Sequence, residues 1–89
     1  MAEDTLVVPA FVDRLAEALK TRLPGAEVRY EHVRGKRYRF VVVWKQFDAM
    51  DHPERQEIVW DLADRELPGE DLLNVAMILT LGEEDLSHE

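Results

Sequence analysis

Apolar side chains recur at two different spacings along the chain, and each spacing predicts a different kind of element. In the first segment every fourth residue is apolar, namely Phe11, Leu15, Leu19 and Leu23. This spacing places the four side chains on one face of an amphipathic helix. Pro24 and Gly25 follow directly, and this pair is typical of a helix end. The first predicted element is therefore a helix.

The next segment has a period of two instead of four. Apolar and aromatic residues alternate with mostly polar ones through residues 28–33, which predicts a half-exposed strand. Residues 37–45 are rich in β-branched and aromatic types and predict a second strand. Only Arg34, Gly35 and Lys36 separate the two segments, and Gly35 can adopt the positive φ of a tight turn. We therefore expect an antiparallel hairpin.

A second helix is predicted from a start motif. Asp51 can cap the helix, Pro53 fits its first turn, and Glu54 lies three residues after the cap. Pro68 and Gly69 end the helix. Its buried side is expected to hold the apolar residues Ile58, Val59, Leu62, Ala63 and Leu67.

The remaining segment completes a single α+β domain. Residues 75–81 are apolar at nearly every position and predict a third strand, with short helical turns at 70–74 and after Gly82. A helix between two strands of one sheet implies a right-handed crossover and parallel pairing. The predicted order is α-β-β-α-(α)-β-(α), a three-stranded mixed sheet with its helices on one face. The expected core residues are Phe11, Leu15, Leu19, Phe40, Val42, Ile58, Leu62, Met77 and Leu79.

The composition limits the class of protein. The 89 residues suffice for one domain, expected at residues 9–86 between a flexible N-terminus at 1–8 and a flexible tail at 87–89. The chain has no cysteine, which excludes disulfides, thiolate catalysis and cysteine-ligated metal centres. Its apolar runs, such as residues 40–44, are far shorter than the ~20 residues of a membrane span. The first residues are acidic, so we expect a cytoplasmic protein without a membrane anchor.

Residue types that catalyse reactions or bind metals are present, but they do not form a recognisable motif. The histidines show no HxH, HxxH or HExxH spacing, so we predict no metal site; the alternatives are His32 as a ligand and His52 with Asp51 as a metal-binding or acid–base pair. The one serine, Ser87, lies in the expected tail, and the four glycines are isolated. We therefore predict that the protein is not an enzyme.

Charge is distributed unevenly along the chain. The net charge is −8, yet residues 28–47 hold six basic residues and one acidic residue. Arginine forks beside aromatic rings suit phosphates and acidic groups. This basic hairpin either balances the acidic helices as a solvated face or binds an acidic partner or a nucleic acid. The candidate binding residues are Arg29, Arg34, Lys36, Arg37, Arg39 and Arg55.

Several residues of the second strand and second helix resemble a known family. They are Tyr38, the valines at 41–43, Phe47, Arg55 and the sequence Ile58-Val59-Trp60. Together they resemble the BolA-like family, whose fold is a type II KH-like arrangement, and the resemblance extends over residues 11–85. It implies a regulatory protein that binds a monothiol glutaredoxin and can share a [2Fe–2S] cluster with it.

The chain departs from the family pattern where the family usually carries histidines. Gln56 follows Arg55, and Arg37 precedes the aromatic residue of the second strand. Asn74 or Val75 takes the place of the ligand histidine before the third strand, and the ligand loop is shortened to residues 33–36. We therefore predict a divergent member that lacks the usual ligand histidines and has no cofactor.

Two functions follow from these patterns. The first is a non-catalytic BolA-like regulatory or adaptor domain that binds a protein partner, by resemblance a monothiol glutaredoxin, as a monomer or weak homodimer. The alternative is a KH-like nucleic-acid-binding module that uses the basic hairpin. Against the alternative, no GxxG sequence is present to clamp a nucleic-acid backbone.

Overall fold

The order of helices and strands agrees with the prediction. The structure, a computed structural model, describes residues 8–87, so His88 and nearly all of the two ends predicted to be flexible lie outside it. Its elements are α1 (Ala10–Arg22), β1 (Glu27–Arg34), β2 (Arg37–Val43), a 3₁₀ helix (Lys45–Ala49), α2 (His52–Glu66), α3 (Gly69–Leu72), β3 (Val75–Leu81) and α4 (Glu83–Ser87). None of the helices in this part of the chain is long and apolar enough to cross a bilayer.

The three strands form one mixed sheet with β2 at its centre. Strand β1 pairs with β2 antiparallel, and β3 pairs with β2 parallel. Helix α2 makes the crossover between β2 and β3, so the parallel pairing inferred from the order of elements is confirmed. Strand β2 ends at Val43, two residues before the predicted end, because the 3₁₀ helix begins at Lys45.

Helix α2 begins with the capping box that the sequence predicts. The Asp51 carboxylate accepts a hydrogen bond from the backbone N–H of Glu54 (3.0 Å), and the Glu54 carboxylate accepts one from the backbone N–H of Asp51 (3.2 Å). Pro53 lies in the first turn. These two bonds satisfy backbone donors that the helix itself cannot use, and they fix where the helix starts.

The hydrophobic core lies between one face of the sheet and the helices. Of the residues expected there, Phe11, Leu15, Leu19, Phe40, Val42 and Leu62 are buried, and Ile58 packs against them partly buried. The structure adds Phe47, which is completely buried beyond the end of β2. Its ring packs edge-on against Trp44, with 5.2 Å between the ring centroids.

Two of the predicted core residues are wrong: Met77 and Leu79 are 45 % and 38 % exposed. The pairing of β2 with β3 shifts by one residue between Tyr38, opposite Val75, and Arg39, opposite Met77. A one-residue shift turns every later side chain to the other face of the sheet. Ile78 and Thr80 therefore point into the core instead.

The register shift leaves an apolar surface on the side of the sheet away from the core. We call it the open sheet face, and it consists of Val41, Val43, Met77, Leu79 and Leu81. Each of these side chains is at least partly exposed. Arg39 and the outward-facing residues of β1 border this surface.

Candidate functional site

The tip of the β1–β2 hairpin is held in one conformation by local contacts. Gly35 has a φ of 56°, in the left-handed region that the tight turn requires. The Nε2 atom of His32 donates a hydrogen bond to the carbonyl oxygen of Gly35 (2.7 Å). The His32 ring also lies against Tyr38, with 5.2 Å between ring centroids. The basic side chains that flank Gly35 therefore project from a braced turn.

Three of the predicted binding residues come together at this tip. Arg34, Lys36 and Arg37, which we call the tip cations, are exposed and have no acidic partner within residues 8–87. Arg34 and Arg37 also lie directly opposite each other in the hairpin register. Like charges in such a cross-strand pair repel each other. The tip thus carries concentrated positive charge that takes part in no ion pair within the described residues.

Two further predicted residues, Arg29 and Arg39, are neutralised within the hairpin. The Arg29 guanidinium binds the Glu27 carboxylate at 2.7 Å, and Arg39 binds the Glu31 carboxylate on the neighbouring strand. Both arginines are exposed, so these ion pairs add little to stability. They do lower the positive charge that this surface offers to a ligand.

Arg55 does not join the tip cations, because it lies near the other end of the sheet. It donates hydrogen bonds to the carbonyl oxygens of Met50 (3.2 Å) and Thr80 (3.4 Å). It also forms an ion pair with Asp85 at 2.9 Å, and its side chain is only 14 % exposed. Thr80 lies opposite Val42, five residues along β2 from Arg37, which corresponds to about 16 Å.

A cleft of about 420 Å³ opens beside the tip cations. Lys36, the first residues of α1 and the segment from α3 to Asn74 line it. Phe11 gives it an apolar wall, and Glu70 and Asp71 give it acidic groups. The sequence contains no motif for this cleft, because it forms only when the start of α1 packs near the entry to β3.

The fold itself has a counterpart among solved structures. BolA1 from Arabidopsis thaliana superimposes with a TM-score of 0.60 at 20 % sequence identity, over 84 % of this chain and 92 % of that chain. The chain has a BolA-like fold. No protein-family model and no curated protein sequence matches it. At this level of sequence identity the similarity shows a shared architecture and does not show a shared function.

Two of the positions where a histidine is expected from the family resemblance, Arg37 and Asn74 or Val75, lie close together near the hairpin tip. Arg37 is next to Tyr38, whose N–H donates to the Asn74 carbonyl oxygen (2.9 Å). Val75 is buried, so Asn74 is the residue of the two that can face a ligand. The amide of Asn74 donates to the Glu70 carbonyl oxygen (3.4 Å).

Among the residues at the tip, His32 alone offers a nitrogen ligand of the kind that a [2Fe–2S] cluster takes. A guanidinium group has no lone pair to give to iron, and an amide is a poor substitute for imidazole. His32 is the one imidazole at the tip; its Nε2–H group donates to the Gly35 carbonyl oxygen, so the Nδ1 atom keeps the lone pair. Between residues 8 and 87, no group of three or more His, Cys, Asp and Glu side chains could hold a metal ion.

Gln56, at the other position where the family has a histidine, acts within the fold. Its side-chain amide donates to the Ile78 carbonyl oxygen (2.9 Å) and to the Thr80 hydroxyl (3.3 Å). Its Oε1 atom accepts a hydrogen bond from the Trp60 indole N–H (3.0 Å). Gln56 therefore ties α2 to the outer edge of β3, away from the hairpin tip.

Proposed function

We propose that the chain is a non-catalytic adaptor domain that binds an acidic surface of a protein partner through the tip cations. The observation that carries this proposal is the unfavourable pairing of Arg34 with Arg37 beside the unpaired Lys36. Proteins tolerate such local conflicts mainly at functional sites. An acidic surface that docks there relieves the repulsion, and it forms charge-assisted hydrogen bonds with both guanidinium groups.

The cleft beside the tip favours a protein over a polyanion. Pro9 and Ala10 offer an apolar contact, whereas Glu70 and Asp71 repel a continuous phosphate backbone. A folded protein surface can place carboxylates on the tip cations and an apolar or basic group in the cleft. The net charge of −8 adds to the repulsion of nucleic acids.

A monothiol glutaredoxin is the first partner to test. This choice rests on the BolA-like fold and on the residues that resemble the family. The proposal involves no shared cluster, because the tip supplies at most one nitrogen ligand, that of His32. The partner would be recognised by charge and shape alone, and the complex would form without iron.

Charge reversal at the tip tests the proposal. We expect the double variant R34E/R37E to bind a metal-free monothiol glutaredoxin about 10–100-fold more weakly than the unchanged chain, because two attractive contacts become repulsive. Titration calorimetry at low ionic strength measures the affinity. The matched control is K20E/R22E, which makes the same change of charge at two exposed residues of α1. Equal losses for the two variants would contradict a specific role of the tip.

The nucleic-acid alternative would depend on the same three cations. With Arg29, Arg39 and Arg55 engaged in ion pairs, we expect any binding of a single-stranded oligonucleotide to show a log–log salt slope of about −2, from ~0.7 per phosphate contact. Fluorescence anisotropy between about 50 and 200 mM salt measures it. A slope near −4 would show that the paired arginines also contact phosphates, and would favour the nucleic-acid function.

A further inference from the structure

The open sheet face is a surface that the proposed function does not use. Residues of the three strands form rows across this side of the sheet. One row is Glu27, Val43 and Leu81, and the next is Arg29, Val41 and Leu79. Each row thus begins with a charge on β1 and continues with two apolar residues, and the two rows carry opposite charges.

We propose that this face is the interface of a symmetric homodimer. The two-fold axis runs across the strands, midway between the two rows. It places the Glu27 row of one copy over the Arg29 row of the other copy, and the reverse. Val41 then meets the partner's Val43, and Leu79 meets the partner's Leu81. At the rim, the exposed Glu27–Arg29 ion pair of one copy lies on that of the other, so Glu27 also meets the partner's Arg29, twice by symmetry.

The occupant is a second copy because the two rows complement each other in both charge and apolar character. The charged residues of β1 and β2 on this side of the sheet are Glu27 and Glu31 against Arg29, Arg34, Arg37 and Arg39, a small net positive charge. The net charge of the chain is −8, so the excess of acidic residues lies elsewhere. Two copies therefore repel each other least when they approach through this face.

The size of the face predicts a weak and reversible dimer. The three strands, two of seven residues and one of eight, cover about 14 Å by 23 Å, or roughly 330 Å² in projection per copy. Stable interfaces bury about 800 Å² per partner. Sheets that pack face to face lie about 10 Å apart, so the apolar side chains of the two copies can interdigitate. We expect the dimer to form between about 10 µM and 1 mM.

Sedimentation equilibrium over that concentration range tests the proposal. We expect the average mass of the unchanged chain to rise toward that of a dimer, and L79E to remain monomeric at every concentration. Leu79 is 38 % exposed, so L79E should fold, and circular dichroism checks this. K20E is the matched control and should dimerise like the unchanged chain. A monomer throughout, or a dimer unaffected by L79E, would overturn the proposal.

A charge-swap experiment tests the two-fold arrangement without changing an apolar residue. In E27R alone, like charges meet at both rim contacts, and the same holds for R29E alone. We expect each variant to dimerise at least about tenfold more weakly than the unchanged chain. An equimolar mixture should regain association, because every rim contact then joins opposite charges. Failure of the mixture to associate, when both variants are folded, would overturn this geometry.

Discussion

Replacement of Phe47 with alanine is expected to lower the free energy of unfolding by about 3–5 kcal/mol, the largest effect of any single change considered for this chain. Phe47 is completely buried and packs edge-on against Trp44. The Arg55 guanidinium lies 5.8 Å from the centre of its ring. The truncation therefore leaves a cavity and removes two aromatic contacts. Urea unfolding followed by tryptophan fluorescence measures the change.

Two control variants separate this effect from a general sensitivity to substitution. We expect F47L to cost only about 1–1.5 kcal/mol, because leucine refills most of the volume. Leu73 is 78 % exposed, and L73A should change stability by less than about 0.5 kcal/mol. If F47A lowered the free energy of unfolding no more than L73A, the conclusion that Phe47 is central to the packing of the core would be contradicted.

Replacement of Arg55 with alanine is expected to lower the free energy of unfolding by about 2–3 kcal/mol. Most substitutions of surface residues change it by less than about 0.5 kcal/mol. The change removes donors from the carbonyl oxygens of Met50 and Thr80, and it breaks the ion pair with Asp85. We expect the melting temperature to fall by about 8–24 °C, at ~4–8 °C per kcal/mol for a domain of this size. Thermal unfolding monitored by circular dichroism checks this.

The matched control for Arg55 is another arginine on the same helix. Arg65 forms an exposed ion pair with Asp61 at 3.0 Å, so R65A should change stability by less than about 0.5 kcal/mol. The sequence suggested that Arg55 binds a partner. If R55A were as stable as the unchanged chain but bound the glutaredoxin as weakly as R34E/R37E, that sequence-based assignment would hold and the structural role would be refuted.

The parts of the fold that could be predicted from the sequence depend on local patterns. The capping box at Asp51 and Glu54 can be recognised because its two residues are three positions apart. The turn at Gly35 is similarly local. The parallel pairing of β2 with β3 is not local, but the handedness of crossovers leaves few alternatives.

The parts that could not be predicted depend on register and on distant contacts. Strand β3 is apolar at nearly every position, so its sequence could not show that Met77 and Leu79 face outward after the register shift. The candidate site illustrates the same limit. Arg39 is neutralised by a residue on the neighbouring strand, and Arg55 by Asp85, 30 residues further along the chain. The sequence indicated six basic candidate binding residues. In the part of the chain that the structure describes, the fold leaves only three of them, the tip cations, without an acidic partner.

The hydrogen bonds from α2 to the outer edge of β3 have a consequence for aggregation. A seven-residue segment as apolar as Val75–Leu81 at the edge of a sheet is a template for cross-β growth. Gln56 and Arg55 occupy the outward carbonyl oxygens of Ile78 and Thr80, to which the next strand of a fibril would bind. The same helix that completes the crossover thus also takes up two of the acceptors that an added strand would need.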